Sequence, residues 1–287
     1  MHPREENEMS KVSRVVEQIV NGREVSDGAG VRLLRVLNQP QQRRLDPFLM
    51  LDEFRSDNPD DYIAGFPSHP HRGFETVTYM LDGRMRHRDN AGNEGLLGPG
   101  GMQWMTAGRG IVHSEIPEQQ DGLMHGFQLW INLPAKDKMT APGYRDIQAD
   151  AIPQWRDESG NVLKLLAGRL GERRGPVERP ATEPLYLDIA LAPGASLWLP
   201  LPAGHHAFAY PYQGSLSLAG APIKARQMAV LGDAGDSVFL ENGGEESRLL
   251  LLAAKPLNEP IAQWGPFVMN NREEIETAMS DYSEGRF

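Results

Sequence analysis

The chain contains no cysteine. That absence excludes disulfide staples, thiolate zinc sites, iron–sulfur clusters and cysteine nucleophiles together. Any metal must then be held by His, Asp or Glu. No stretch reaches the roughly 18 consecutive apolar residues of a membrane span. A basic excess is also lacking: 29 Lys and Arg stand against 39 Asp and Glu, a net charge of −10. The global field that grips nucleic acid or anionic lipid is therefore missing. The opening MHPREENEMSKV is polar and has no apolar core of the secretory-signal kind. A soluble cytoplasmic protein with no membrane and no direct nucleic-acid partner is the expectation.

Glycine and proline are abundant instead, 30 and 22 in 287 residues. That is about 18%, against roughly 12% in average usage. They are spread without a period, which argues against a helical bundle and for many turns between short strands. Phe74 to Met80 alternates and is rich in β-branched residues, and Asp82-Gly83 follows as a hairpin signal. Arg84 to Arg88, Met102 to Thr106 and His125 to Leu133 read as further strands, with turns at 90–93, 98–101 and 108–110. The second half repeats the style at Leu185 to Leu191, Ser196 to Leu199, His206 to Tyr212, Gln227 to Leu231, Ser237 to Leu240 and Arg248 to Ala253. Turn spacings near ten residues suit antiparallel sandwiches or barrels. Asn270-Asn271 caps a terminal helix carrying an Ile275, Met279 and Tyr282 stripe. The implied organisation is a polar tail 1–13, a first barrel 14–135, a connection 136–150, a second barrel 151–265 and a helical tail 266–287.

The halves look duplicated. Tyr79 to Gly83 aligns with Tyr210 to Gly214, and Met102 to Gly108 with Met228 to Gly235. In that register His69, His71 and Glu75 fall on Pro200, Pro202 and His206, while His113 and Glu115 fall on Leu240 and Asn242. One half would carry chemistry and the other would be a structural copy.

Five of eight histidines lie between positions 69 and 125. His69-Pro70-His71 on a strand aims two imidazoles to one face, and Pro70 places that strand at an edge. His113-Ser114-Glu115 adds an imidazole and a carboxylate in the same way. Imidazole suits several transition metals and needs no deprotonation at neutral pH. Three nitrogens and one oxygen would leave open positions on an octahedral metal. Either Glu75 or Glu115 could supply the oxygen, or Glu75 could stand behind a ligand and orient it. His87 lies inward of the solvated Arg84, Arg86, Arg88 face and could also support the metal. His125 reads as packing, and Trp104 as core rather than as part of an aromatic pocket with Phe66 and Phe74. The adjacent His205 and His206 would point to opposite faces.

At these residues the chain resembles the cupin superfamily, and within it the pirins. Gly65, His69, His71, Glu75 and Gly83 fit the first cupin motif. More specific are FPSHPHRGFETVTYMLDG from Phe66, QWMTAGRGIVHSE from Gln103, LDPFLMLDEF from Leu45 and GPFVMNNREEI in the tail. The resemblance implies an all-β bicupin, two antiparallel β-barrels of jelly-roll type with a short C-terminal helix. It implies one mononuclear divalent metal, Fe(II) first with Mn, Co, Ni, Cu or Zn as substitutes, held by His69, His71, His113 and Glu115. By that carry-over Glu75 is not a ligand. It also implies a quercetin 2,3-dioxygenase-like enzyme that opens the central ring of a flavonol with O₂ and releases carbon monoxide, Glu115 serving as catalytic base. The alternatives are a metal-containing regulatory protein acting through protein partners, and a cupin isomerase that needs no O₂.

Overall fold

The structure is a computed structural model, and it describes residues 11–287. Of the expected polar tail 1–13, residues 1–10 lie outside the described residues. The expected bicupin architecture is present: two antiparallel domains, each a seven-stranded sheet packed on a four-stranded one, and one C-terminal helix. Among the described residues hydrogen bonding does not run continuously around either domain, so each is a two-sheet jelly roll rather than a closed ring.

The seven-stranded sheets face one another. This explains a run such as Leu249 to Ala254, which has no polar residue and could equally suit a buried helix. In strand Ser247–Ala254, Leu249, Leu251 and Ala253 enter the core of the second domain. Leu250, Leu252 and Ala254 enter a core shared with the first domain, against Tyr79, Trp104, Phe127 and Leu129. Strand Phe74–Asp82 divides the same way: Val77 and Tyr79 face the shared core, and Thr76, Thr78 and Met80 face the interior of the first domain. Two ties cross the shared layer. Asp188 accepts from the hydroxyls of Tyr79 and Tyr212, both at 2.6 Å. Glu53 accepts from Tyr210 Oη at 2.5 Å and meets His125 Nε2 at 2.9 Å.

Three expectations about organisation are corrected. Strand Val16–Asn21 does not belong to the first domain; it pairs with Gln227–Leu231 at the edge of the second domain's large sheet. Arg14 anchors it there, its guanidinium donating to the carbonyls of His205, Pro202 and Gly235. Conversely, the connection 136–150 contains strand Gly143–Ile147, which returns to the first domain beside Met102–Thr106. The helix Arg272–Ser283 is capped by Asn271 as expected, but it docks through Ile275 and Ala278. Met279 and Tyr282 are 44% and 41% exposed, and of the two only Tyr282 reaches Phe267, at the rim of the docked face.

The duplication is real in topology, strand for strand, but its register needs one shift. Gly83 and Gly214 are equivalent, each ending the matching strand with positive φ. The turn before Phe74 is only Arg72-Gly73, whereas residues 201–205 precede the equivalent strand His206–Gln213. Three extra residues therefore displace the strand upstream. His113 pairs with His69, and Leu240 pairs with Leu197. His69 and His71 thus correspond to Leu197 and Leu199, not to the prolines.

Removing Asp188 should test the tie between domains. Asp188→Ala leaves two buried tyrosine hydroxyls without their charged acceptor, and the unfolding free energy in urea should fall by about 3 kcal/mol. Asp188→Asn, which keeps acceptor oxygen but not charge, should cost about half as much.

Candidate metal centre

Two strands of the small sheet build the site. Phe66–His71 is its edge strand, as Pro70 required, and Ile111–Pro117 lies beside it. His69 opposes His113 directly, and Ile111 opposes His71. The spacing therefore delivers three imidazoles to one face. Their ligand atoms all lie within 4.8 Å of one another, the one such cluster of His and carboxylate groups among the described residues. His69 Nδ1 donates to the Pro67 carbonyl at 2.8 Å, which leaves the lone pair on Nε2. That Nε2 stands 3.0 Å from His71 Nε2. His113 Nε2 is buried with no protein partner, and Nδ1 of the same ring meets His87 Nδ1 at 3.4 Å.

The electrostatics favour neutral rings. Burial pushes His71 well below the usual imidazole value, and the proximity of His69 adds to it. His113 is pushed the same way, by burial first and then by His71 and His69. Burial also lowers His87. Neutral, converging imidazole nitrogens with an unpartnered buried atom fit a divalent metal of the transition series.

Glu115 follows His113 on the same face but stands outside the 4.8 Å set. Its Oε1 accepts from Thr78 Oγ1 at 3.0 Å and its Oε2 from Gln128 Nε2 at 2.9 Å. Each oxygen keeps a lone pair for another partner. Gln128 Oε1 in turn accepts from Trp130 Nε1 at 3.4 Å, so the amide is oriented with its NH₂ toward Glu115.

Glu75 does not stand behind the ligands. The turn at Arg72-Gly73 resets the faces, and Glu75 shares its parity with Val77 and Tyr79. Its Oε1 accepts from Thr106 Oγ1 and from Arg179 Nε on the side away from the histidines. His87 does lie inward, buried beside His113, while Arg86 pairs with Glu94 and Glu118 outside. His125 is bound to Glu53, and His206 Nδ1 donates to the Asp46 carbonyl, so neither joins the cluster. Trp104 belongs to the shared core.

Sequence reasoning missed Thr78, Gln128 and Trp130. The Trp130 ring centroid lies 5.3 Å from that of His71 and 4.3 Å from that of Phe74. Beside them opens a cleft of about 830 Å³, whose lining includes His69, His71, Gln128, Trp130, Phe54 and Phe66. Asp27, Arg35 and Asp52 line it as well, so its size and mixed lining suit a small organic molecule that carries polar groups.

The second domain lacks each of these groups. In the corrected register Thr78 and Gln128, which oppose one another, correspond to the opposed pair Ala209 and Leu251. The histidines correspond to Leu197, Leu199 and Leu240, packed in an apolar core. Asn242 stands at the place of Glu115 and spends its amide on the Leu191, Ala192 and Glu245 carbonyls.

Acid should expose the buried histidines. With folded values below 6.5, the unfolded chain binds more protons as pH falls, so metal-free protein should lose stability below about pH 6.5. Urea midpoints between pH 7.5 and 5 should show that slope, and His113→Gln should flatten it.

Comparison with known proteins places this geometry in a family. The Pirin family model matches residues 30–131, and the Pirin C-terminal cupin domain model matches residues 186–287. A Pseudomonas aeruginosa protein named putative quercetin 2,3-dioxygenase is 53% identical over 279 residues, 95% of this chain and 97% of that one. Pirin of Homo sapiens is 42% identical over 280 residues, 96% of this chain and 94% of its own. A crystal structure of quercetin 2,3-dioxygenase from Acinetobacter baumannii superposes with a TM-score of 0.90 at 32% identity, covering 96% of this chain and 99% of that one. Matched in both domains and along nearly its whole length, the chain belongs to the pirin family.

Proposed function

We propose that this protein is a metal-dependent dioxygenase that opens the central ring of flavonols such as quercetin with O₂ and releases carbon monoxide. The observation that carries the reading is the convergence of His69, His71 and His113, the first two of which line a cleft of small-molecule size. The dioxygenase names of the Pseudomonas and Acinetobacter relatives support it. In this reading His69, His71, His113 and Glu115 hold one divalent metal, Fe(II) first. When bound, the metal supplies a Lewis-acid centre that lowers the pKa of a substrate hydroxyl and helps the electron-rich substrate react with triplet O₂.

The chain's own groups do the rest. Phe54, Phe66 and Trp130 line the cleft and offer aromatic faces against which a flat polyphenol stacks. His71 is kept neutral by burial, so it stays a donor of its lone pair at working pH. Thr78 and Gln128 hold the Glu115 carboxylate in place by donating to both oxygens. From there it accepts the proton of the substrate 3-hydroxyl as general base.

Metal-loaded protein should consume quercetin only in air, measured as loss of flavonol absorbance with matching O₂ uptake. His113→Ala should lose both metal and turnover. Glu115→Gln should lower kcat at least 100-fold, within the range for a lost general base. Full activity in His113→Ala would sink the reading. Ring turnover without O₂ uptake would point to an isomerase, and a stoichiometric protein partner with no flavonol turnover to a regulatory role.

A further inference from the structure

The turn that follows His71 and the strand that carries His113 are tied to one distant stretch of chain. Arg72 is 3% exposed, and its guanidinium needs partners there. It finds Asp281 Oδ2 at 2.8 Å, the Arg109 carbonyl, and the ring of Phe287 4.4 Å from its carbon. Its backbone amide donates to the Pro266 carbonyl, and its carbonyl accepts from Val268. Lys138 Nζ closes the next residue, donating to the carbonyls of Gly73 and Val268. On the other strand, Asn90 exchanges hydrogen bonds with Val112, the neighbour of His113, through both backbone and side chain. The same Asn90 side chain donates to the Phe287 carbonyl at 2.9 Å. The Phe287 ring fills the space over Gly110, where a Cβ would come within 2.8 Å of it.

We infer that Asp281 to Phe287 is a latch that sets the spacing between His71 and His113, and that Phe287 and Asp281 are positioning residues of the metal centre about 170 residues or more away in sequence from either strand. The latch rests on the metal reading above. It holds Arg72, next to His71, directly, and Val112, next to His113, by way of Asn90. Arg72 transmits it to His71, and Asn90 with Val112 transmits it to His113. Phe287 spans both, its ring on Arg72 and its carbonyl on Asn90. A three-imidazole set binds metal tightly only when its nitrogens are held near the productive separation before binding. Releasing the latch therefore weakens metal binding without unfolding the domain, because the shared core and the Asp188 tie are untouched.

The test uses the full chain and Co²⁺ as probe. Phe287→Ala and Asp281→Asn should each weaken Co²⁺ affinity about tenfold in chelator competition and shift its visible absorption bands. Amides of Arg72, Asn90 and Val112 should exchange hydrogen faster in both variants, while the urea midpoint of metal-free protein changes little in Phe287→Ala and falls in Asp281→Asn, which leaves the buried Arg72 without its charged partner. Met279→Ala, on the exposed side of the same helix, should match the unaltered protein in every measurement. Affinity within twofold of the parent and unchanged amide exchange would overturn the latch. If the unaltered protein takes up no Co²⁺, the metal reading fails instead, and amide exchange still decides whether the segment holds the two strands.

Discussion

Burial of both faces of the two large sheets is the constraint on which the rest depends. Each of these sheets must satisfy two apolar layers, one inside its own domain and one between domains. The residues that alternate along a single strand therefore serve different cores, as Leu249 to Ala254 do. The shared layer takes the larger aromatic side chains, among them Tyr79, Trp104, Phe127, Tyr186 and Tyr210. The interior of each domain is left to be either apolar throughout or opened for chemistry. In the first domain that interior holds the histidines and Glu115. In the second it holds leucines.

The contrast between domains shows what a buried cluster of polar side chains costs a fold. One backbone plan is used twice, and at corresponding positions His69, His71, His113, Thr78 and Gln128 stand against Leu197, Leu199, Leu240, Ala209 and Leu251. Polar groups buried in this way need partners from each other and from neighbouring strands. The first domain provides them through Pro67, His87, Thr78 and Trp130. The second domain avoids the requirement and gains an uninterrupted core instead.

Much of this was legible in the sequence, for identifiable reasons. Strands Leu185–Leu191 and Gln227–Leu231 lie where their apolar patterns placed them. The pairs His69 and His71, and His113 and Glu115, share a face because the strand period is two. That periodicity does not extend through a turn, and this is why Glu75, four residues after His71, faces away from the histidines. Thr78, Gln128 and Trp130 escaped notice because their roles come from the pairing of Phe74–Asp82 with Met124–Asn132, a register with no local signature. The duplication was visible at Gly83 and Gly214, but the three extra residues before His206 hid the true equivalents of the histidines. The docking of Val16–Asn21 into the other domain was invisible for the same reason: strand exchange leaves no mark on either strand's own pattern.

That exchange has a consequence for how the molecule is made. Strand Val16–Asn21 leaves the ribosome first, yet its partner Gln227–Leu231 is synthesised about 200 residues later. Throughout that interval an unpaired β-edge is exposed, the kind of edge that recruits other chains. The first domain, for its part, lacks its own edge strand until Ile147 has emerged. No single cut of the chain leaves both domains with their full set of strands.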